Sequence, residues 1–432
     1  MTTGDQQTFA PVERLEGSIT VPGDKSISHR ALFIGAIAPG ISTISNLLIA
    51  HDTMSTAHCL RLLGTDIEIK GTDAVITGNG IFGFREPSGV LDAGNSGTTA
   101  RIILGLLSTQ DFFSVLTGDD SLRTRPMKRI AIPLTAMGSV IDGRDHANYL
   151  PFSIRGRRLK GIDYTMPAAS AQVKTGLMLA SLGAKGTMII REPVPTRDHT
   201  ERMLAASGID VQVSDSAVML ACSQKPLPLT MAVPGDFSSA AFFIGAGIIA
   251  RTADILITNV GINPGRTGFI DILKLMGGSV ELLNTRFEAG EPVADIRVRP
   301  AQLRGTVIED RSLIVRAIDE LPLVAVLAAF ARGTTTIKNA EELRIKESDR
   351  IKTVVDGLLR LGIRAREFRD GMSIEGGVVR GGTVSSFGDH RIAMAFAAAS
   401  VAAAQEISID NFSAVNISFP GFLPQFTSLR QA

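Results

Sequence analysis

"VPGDKSISHRALFIGA", residues 21–36, sets a lysine and an arginine at the head of an otherwise apolar helical stretch, and "VPGDFSSAAFFIGA", residues 233–246, repeats it. The two prolines, Pro22 and Pro234, stand 212 residues apart. Self-similarity at half the chain length reads as two homologous halves. Within each half, a turn runs straight into an apolar helix near Lys25, Asn95, Ser170, Ser238, Asp319 and His390, at gaps of 70, 75, 68, 81 and 71 residues. A second series of helices ends in a glycine ahead of a β-branched run, at Gly64, Gly138, Gly208, Gly277 and Gly362. Glycine there predicts left-handed helix ends, and the alternation that follows predicts half-buried strands. Ile351, Val354, Val355, Leu358 and Leu359 give one of these helices an apolar face at i, i+3, i+4, i+7 and i+8. The chain therefore reads as six α/β units of roughly 70 residues, three per half, each with a buried helix, a surface helix and several strands.

A chain of 432 residues, 44% apolar and 20% charged, exceeds what one core accommodates, which also predicts two domains. The second VPGD copy opens the second half. Residues 22–232 are assigned to an N-terminal lobe and residues 1–21 plus 233–432 to a C-terminal lobe, with hinges near 20–23 and 231–235. The 44 Lys and Arg against 43 Asp and Glu leave a formal charge of +1, which argues against nucleic acid or a membrane surface as partner. Cys59 and Cys222 are the only cysteines, with no Cys/His spacing for zinc, so a reducing compartment and no metal are expected. The polar start "MTTGDQQTFAPVERLEG" is unlike a secretory or transit signal, and no apolar run is long enough to cross a bilayer. A cytoplasmic location follows as an expectation.

The chemistry is expected at the helix starts. A basic side chain at a helix N-terminus is unfavourable by roughly 0.3–1 kcal/mol unless an anion is bound there. The starts carry Lys25, Ser26 and Arg30, then Asn95, Ser96 and Gly97, then Ser170 and Gln172, then His390 and Arg391. Arg125, Arg197, Lys346 and Arg350 open the surface helices. Backbone N–H groups, a glycine that permits close approach and forked guanidinium groups are the means by which proteins hold phosphate and carboxylate. Taken singly, Ser170 and Asn95 read equally well as plain N-caps, and Arg391 and His390 as ion-pair partners of Asp389. Two carboxylates interrupt the basic pattern. Asp319 opens the apolar helix "DELPLVAVLAAF", and Glu347 lies between Lys346 and Arg350. Two carboxyl groups in different surroundings suit general acid and general base steps.

In order and spacing, "GDKSISHRAL", "GNSGTTAR", "ASAQVKTGLMLA", "TRDHTERML", "ELRIKESDR" and "GDHRIAMA" resemble the motifs of the 5-enolpyruvylshikimate-3-phosphate synthase family, from about Leu15 to the "SFPGF" near the C-terminus. The resemblance implies an α/β fold of two inside-out domains, each of three βαβαββ units, with the substrates between them. It implies transfer of the enolpyruvyl group of phosphoenolpyruvate to the 5-hydroxyl of shikimate 3-phosphate, with release of phosphate and without a cofactor. Lys25, Ser26, Arg30, Ser170, Gln172, Arg197, Asp319 and Lys346 would then bind shikimate 3-phosphate. Lys25, Asn95, Gly97, Arg125, Gln172, Lys346, Arg350 and Arg391 would bind phosphoenolpyruvate, and Asp319, Glu347 and Lys25 would be catalytic. A monomer is expected. Ile417 stands near where some members place a lysine that contacts phosphoenolpyruvate, a departure from the family pattern. Gly97, rather than alanine, leaves room beside the phosphoenolpyruvate pocket, so glyphosate should inhibit. The alternatives are the related transferase acting on UDP-N-acetylglucosamine, which uses a loop cysteine that neither Cys59 nor Cys222 matches, and an inactive phosphate-binding regulator.

Overall fold

The computed structural model describes residues 5–214 and 216–431. The helix-ending glycines adopt the backbone that their residue type permits: φ is +93° at Gly64, +116° at Gly138, +83° at Gly208, +86° at Gly277 and +84° at Gly362. The chain falls into two compact units. One comprises Gly23–Pro234 with Phe287–Glu291, and the other Met1–Pro22, Gly235–Arg286 and Pro292–Ala432.

The unit built on residues 23–234 contains three four-stranded sheets of one design. In each, a strand pairs parallel with the next, which pairs antiparallel with a third, and a fourth strand closes the far edge antiparallel. Thr230–Ala232, Gly40–Ser45, Asp73–Gly78 and Asp66–Lys70 form the first sheet. Leu91–Asp92, Phe113–Thr117, Tyr149–Arg155 and Val140–Gly143 form the second. Asp163–Thr165, Thr187–Arg191, Ala217–Ala221 and Val211–Val213 form the third. Three helices, Lys25–Ile37, Gly97–Leu107 and Ala171–Leu182, are buried nearly all round and lie at the centre of one continuous core. Polar side chains on them, such as His29, Arg30 and Lys174, are buried against partners of their own. Close approach of two of these helices leaves no space for side chains at the crossing: a Cβ on Gly105 would lie 2.0 Å from the Gly176 carbonyl oxygen.

The second unit repeats the design with borrowed strands. Val307–Ile308, Thr334–Ile337, Gly371–Glu375 and Ala365–Phe368 are local in sequence. The sheet around Thr252–Gly261 takes Arg14–Thr20 as its parallel partner, and Gly382–Ser385 with Ile407–Asp410 is completed by Gln6–Phe9. Its central helices are Phe237–Ile249, Leu321–Ala328 and His390–Ala399. Its core ends in a ring cluster around Phe243, Phe419, Phe422 and Phe426. In the helix Arg350–Arg360, Ile351, Val354, Val355 and Leu358 face the core, whereas Leu359 is 51% exposed, so the apolar stripe is narrower than its spacing suggested. Among the described residues, no helix is long and apolar enough to cross a membrane.

Candidate functional site

The unit containing residues 23–234 brings the helix starts together in two neighbouring groups. In the first, Asp24 caps the helix Lys25–Ile37 by accepting from the Ile27 amide at 2.9 Å. The Lys25 ammonium follows directly and pairs with Asp52 at 2.8 Å, with 21% of its side chain exposed. Ser26 is half-buried beside it. One turn on, Arg30 is buried: its Nε donates to Thr200 Oγ1 at 2.7 Å, its Nη1 to the Ser26 carbonyl at 2.9 Å, and its Nη2 to Thr175 Oγ1 at 2.7 Å and the Ala171 carbonyl at 3.4 Å. Burial lowers this guanidinium to about 10, with Glu201 and Asp24 opposing and Arg197 assisting the shift. Four of its five donors are thus spent within the unit. Arg30 ties together the helices Lys25–Ile37, Ala171–Leu182 and His199–Ala206. Arg197 lies two residues before the last of these, half-buried.

The second group gathers around Gly97. Ser96, not Asn95, caps the helix Gly97–Leu107, through a 3.1 Å bond from the Thr99 amide. Asn95 serves the guanidinium of Arg125 instead: its Oδ1 accepts from Arg125 Nη2 at 2.7 Å, while its Nδ2 donates to Asp119 at 2.7 Å. Ser170 is the N-cap of Ala171–Leu182, and Gln172 sits in the first turn. Gln172 Oε1 accepts from Arg101 Nη1 at 2.7 Å, and its Nε2 donates to Thr98 Oγ1 at 2.9 Å. Because a guanidinium can only donate, Arg101 fixes which way that amide faces. A Cβ at Gly97 would lie 2.8 Å from Arg101 Nη1 and 3.7 Å from Arg125 Nη1, so the absent side chain leaves both cations close to the helix start. Asp52 and Arg101 were not singled out from the sequence. Arg101, though, is the last residue of "GNSGTTAR", four positions after Gly97 and so on the same helix face.

The other unit assembles the remaining candidates. Asp319 does not open a helix: it lies between Arg311–Ala317 and Leu321–Ala328, and Glu320 holds the cap position. Pro322 explains the shift, since proline is accommodated in the first turn of a helix, where no N–H partner is required. Three guanidinium groups surround the Asp319 carboxylate: Arg266 Nη1 at 3.4 Å, Arg391 Nη2 at 3.8 Å and Arg350 Nη1 at 3.8 Å. Arg350 is 1% exposed and also meets Glu347 at 2.6 Å and Asp389 at 2.8 Å. Burial alone would lower its proton affinity, but the carboxylates of Asp389, Glu347 and Asp319 outweigh it and hold the guanidinium above its ordinary value. Burial pushes Asp389 up and Arg350 pulls it down, leaving it below the usual carboxylate range. Asp389 is therefore the N-cap of His390–Ala399 and the seat of Arg350 at once, rather than a partner reserved for Arg391. Lys346, half-buried just before that array, is lowered by burial against the pull of Asp319, Glu342 and Glu347. Arg266, in "NPGRTG", and Asp236 were also missed, because neither stands beside a predicted helix start of basic character.

Both thiols are held toward the protonated form. Burial raises Cys59 to about 12 and also raises Cys222. Among the described residues, no three His, Cys, Asp or Glu side chains are grouped to hold a metal ion.

Comparison with known proteins identifies the family. The family described as EPSP synthase (3-phosphoshikimate 1-carboxyvinyltransferase) matches residues 9–426. A 3-phosphoshikimate 1-carboxyvinyltransferase of Alkaliphilus metalliredigens is 49% identical over 413 residues, 95% of this chain and 96% of that protein. One of Bacillus cytotoxicus is 48% identical over 416 residues, 96% of this chain and 98% of its own length. Among solved structures, EPSP synthase from Acinetobacter baumannii superposes with a TM-score of 0.89 at 42% identity, covering 98% of both chains. The enolpyruvyl transferase NikO from Streptomyces tendae, at 16% identity and a TM-score of 0.79 over 99% of this chain and 98% of its own, shares the fold. With a family match over nearly its whole length and relatives close to half identical, the chain belongs to the EPSP synthase family.

Proposed function

We propose that this chain transfers the enolpyruvyl group of phosphoenolpyruvate to the 5-hydroxyl of shikimate 3-phosphate, using the two clusters described above. Family membership supports the reaction. The observation that carries the residue assignment is the array of Asp319, Glu347 and Asp389 around the buried guanidinium of Arg350, with Lys346 beside it. Asp319 accepts the proton of the 5-hydroxyl as that oxygen bonds to C2 of phosphoenolpyruvate, and Glu347 gives a proton to the methylene carbon, C3. The resulting tetrahedral ketal then breaks its C2–O bond to phosphate and loses a proton from C3, so atoms and charge balance. Glu347 must first hold a proton, whereas its 2.6 Å contact with Arg350 is that of a carboxylate. A ligand carboxylate arriving on Arg350 would compete for that guanidinium and free Glu347.

In the other unit, Lys25, Ser26, Arg30, Ser170, Gln172 and Arg197 bind shikimate 3-phosphate, and Asn95, Gly97, Arg125 and Gln172 bind phosphoenolpyruvate together with Lys25. Arg101 turns the Gln172 amide so that its N–H side is the one offered away from the guanidinium, which suits an anion. Lys346, Arg350 and Arg391 complete the cations for phosphoenolpyruvate. Burial raises the thiols of Cys59 and Cys222, which speaks against the cysteine-dependent transfer to UDP-N-acetylglucosamine. The deciding experiment measures phosphate release from phosphoenolpyruvate with shikimate 3-phosphate, with UDP-N-acetylglucosamine, or with no acceptor. Release with the first alone is expected; release with the second, or none at all, would overturn the reading. The reading also places the protein in the cytoplasm as a monomer, which size-exclusion chromatography with light scattering would test against a mass of 45.8 kDa.

A further inference from the structure

We infer that Arg266 is a positioning residue for Asp319, resting on the assignment of Asp319 as the group that accepts the 5-hydroxyl proton. Asp319 sits in the short link between Arg311–Ala317 and Leu321–Ala328, outside the hydrogen-bonded ladder of either helix. Its carboxylate orientation is therefore set by side-chain contacts. Of the three guanidinium groups around it, those of Arg350 and Arg391 belong to the set assigned to phosphoenolpyruvate, where a ligand carboxylate or phosphate would compete with Asp319 for them. The Arg266 side chain is 3% exposed. Unlike Arg350 and Arg391 it is assigned no ligand, so its 3.4 Å contact with Asp319 Oδ2 is the one that substrate binding has no reason to displace.

Arg266 is itself anchored from behind. Its Nη2 donates to Ser238 Oγ at 2.8 Å and to Asp236 Oδ1 at 3.1 Å, where Asp236 is the N-cap of the helix Phe237–Ile249. Ser238 Oγ donates in turn to Glu320 Oε1, the neighbour of Asp319. The backbone that carries Arg266 is a tight turn. The Asn263 carbonyl accepts from the Arg266 amide at 2.8 Å, and Asn263 Oδ1 accepts from the Gly265 amide at 2.8 Å. One face of the guanidinium is thus pinned to the second VPGD helix start, and the other end holds the carboxylate. Supporting partners of this kind fix a reacting group to within the fraction of an ångström that proton transfer requires.

The test compares Arg266→Gln and Arg266→Lys with the unaltered enzyme, in the presence and absence of Asp319→Asn. Steady-state kcat, KM for both substrates, the pH profile of kcat and the thermal midpoint are measured for each. Arg266→Gln is expected to lower kcat by about 10–100-fold, by analogy with the loss seen when a partner that orients a metal ligand is removed. KM for both substrates should stay within about threefold, the low-pH limb of the kcat profile should move, and Arg266→Lys should recover a large part of kcat. In the Asp319→Asn background, Arg266→Gln should cost little more, because residues acting as a unit are not additive. Three outcomes would overturn the inference: full multiplicativity of the two changes, a rise in KM at constant kcat, or a loss of kcat in Arg266→Lys that only tracks a lowered melting temperature. An Asp319→Asn enzyme with unaltered kcat would instead sink the proton-acceptor assignment, and is thereby told apart from a failure of the positioning role.

Discussion

The helices Lys25–Ile37 and Phe237–Ile249 grow out of the same four residues and have opposite fates. Both run thirteen residues from an aspartate N-cap whose carboxylate accepts from amides of the first turn. In the first copy the next residue is Lys25, whose ammonium stays partly exposed against Asp52. In the second it is Phe237, 1% exposed, and the cation at the helix start is Arg266, supplied from within the unit. The cap sequence encodes the helix, and the origin of the neighbouring cation decides whether its positive end stays partly open or is closed off in the interior. The repeat is also shorter than it looks on paper. Counted from the caps, Phe33 is the ninth helical residue and Phe243 the seventh, so the "FIGA" common to both copies falls at different heights and is not structurally shared.

Making the first copy resemble the second is the most damaging way to break this contrast. Lys25→Phe should lower kcat/KM by about a thousandfold, or about 4 kcal/mol, by removing a charge that faces two anions. The melting temperature should hold; a coupled phosphate assay showing a loss under tenfold would dissolve the distinction. The buried arginines of the two units give a second comparison. Arg350 rests on three carboxylates, Arg30 on hydroxyl and carbonyl oxygens. Arg350→Met should cost about 3 kcal/mol or more in urea unfolding, since it strands buried charge, and Arg30→Met less, about 2 kcal/mol, since it strands neutral groups. Equal costs would mean that the carboxylates around Arg350 are not held as charges. Converting the second copy toward the first, Phe237→Lys, buries an ammonium near Arg266 and should cost at least about 2 kcal/mol without adding affinity for shikimate 3-phosphate; a gain in affinity would show that the closed start is still a ligand site.

The smallest effect concerns His29, inside the first helix and absent from the second. Its Nδ1 is 2.7 Å from Thr56 Oγ1, and its folded-state value is depressed to about 3, first by burial and then by Lys25 and Arg30, with Asp52 opposing. The unfolded chain, titrating near 6.5, binds the proton first, so stability is full above that pH and falls as pH drops toward 3. Between pH 7 and 5.5 this amounts to roughly 1 kcal/mol. His29→Gln should flatten that portion of the urea stability curve, whereas an unchanged slope would mean that other groups carry it.

Much of this was legible in the sequence because it is local. A glycine after an apolar residue marks a left-handed helix end, a serine or aspartate before an apolar run marks a cap, and both act within four residues. Lys25, Gln172, Lys346 and Arg350 could be found because they lie beside such marks. What escaped was set at long range or by one neighbour. Asp319 was displaced from a helix start by the proline that follows it. Asn95 yielded the cap to Ser96 because Arg125 claims its side chain. Arg266 meets Asp319 across 53 residues of chain, and no periodicity announces that meeting. Leu359 shows the limit of pattern reading, since the stripe gives the face and not how wide the covering layer is.

The sheet that joins Gln6–Phe9 to Ile407–Asp410 pairs Gln6 with Asp410, 404 positions away. Arg14–Thr20 likewise meets Arg430–Gln431 at one edge. As the polypeptide leaves the ribosome, residues 23–234 have most of their sheet partners within reach, while Gln6–Phe9 waits for Ile407–Asp410 and Arg14–Thr20 for Thr252–Gly261. Contacts so distant are entropically expensive to close and slow to form. Nicking a few residues from either terminus should accordingly injure the same unit, and the other should be the earlier to resist protease during synthesis.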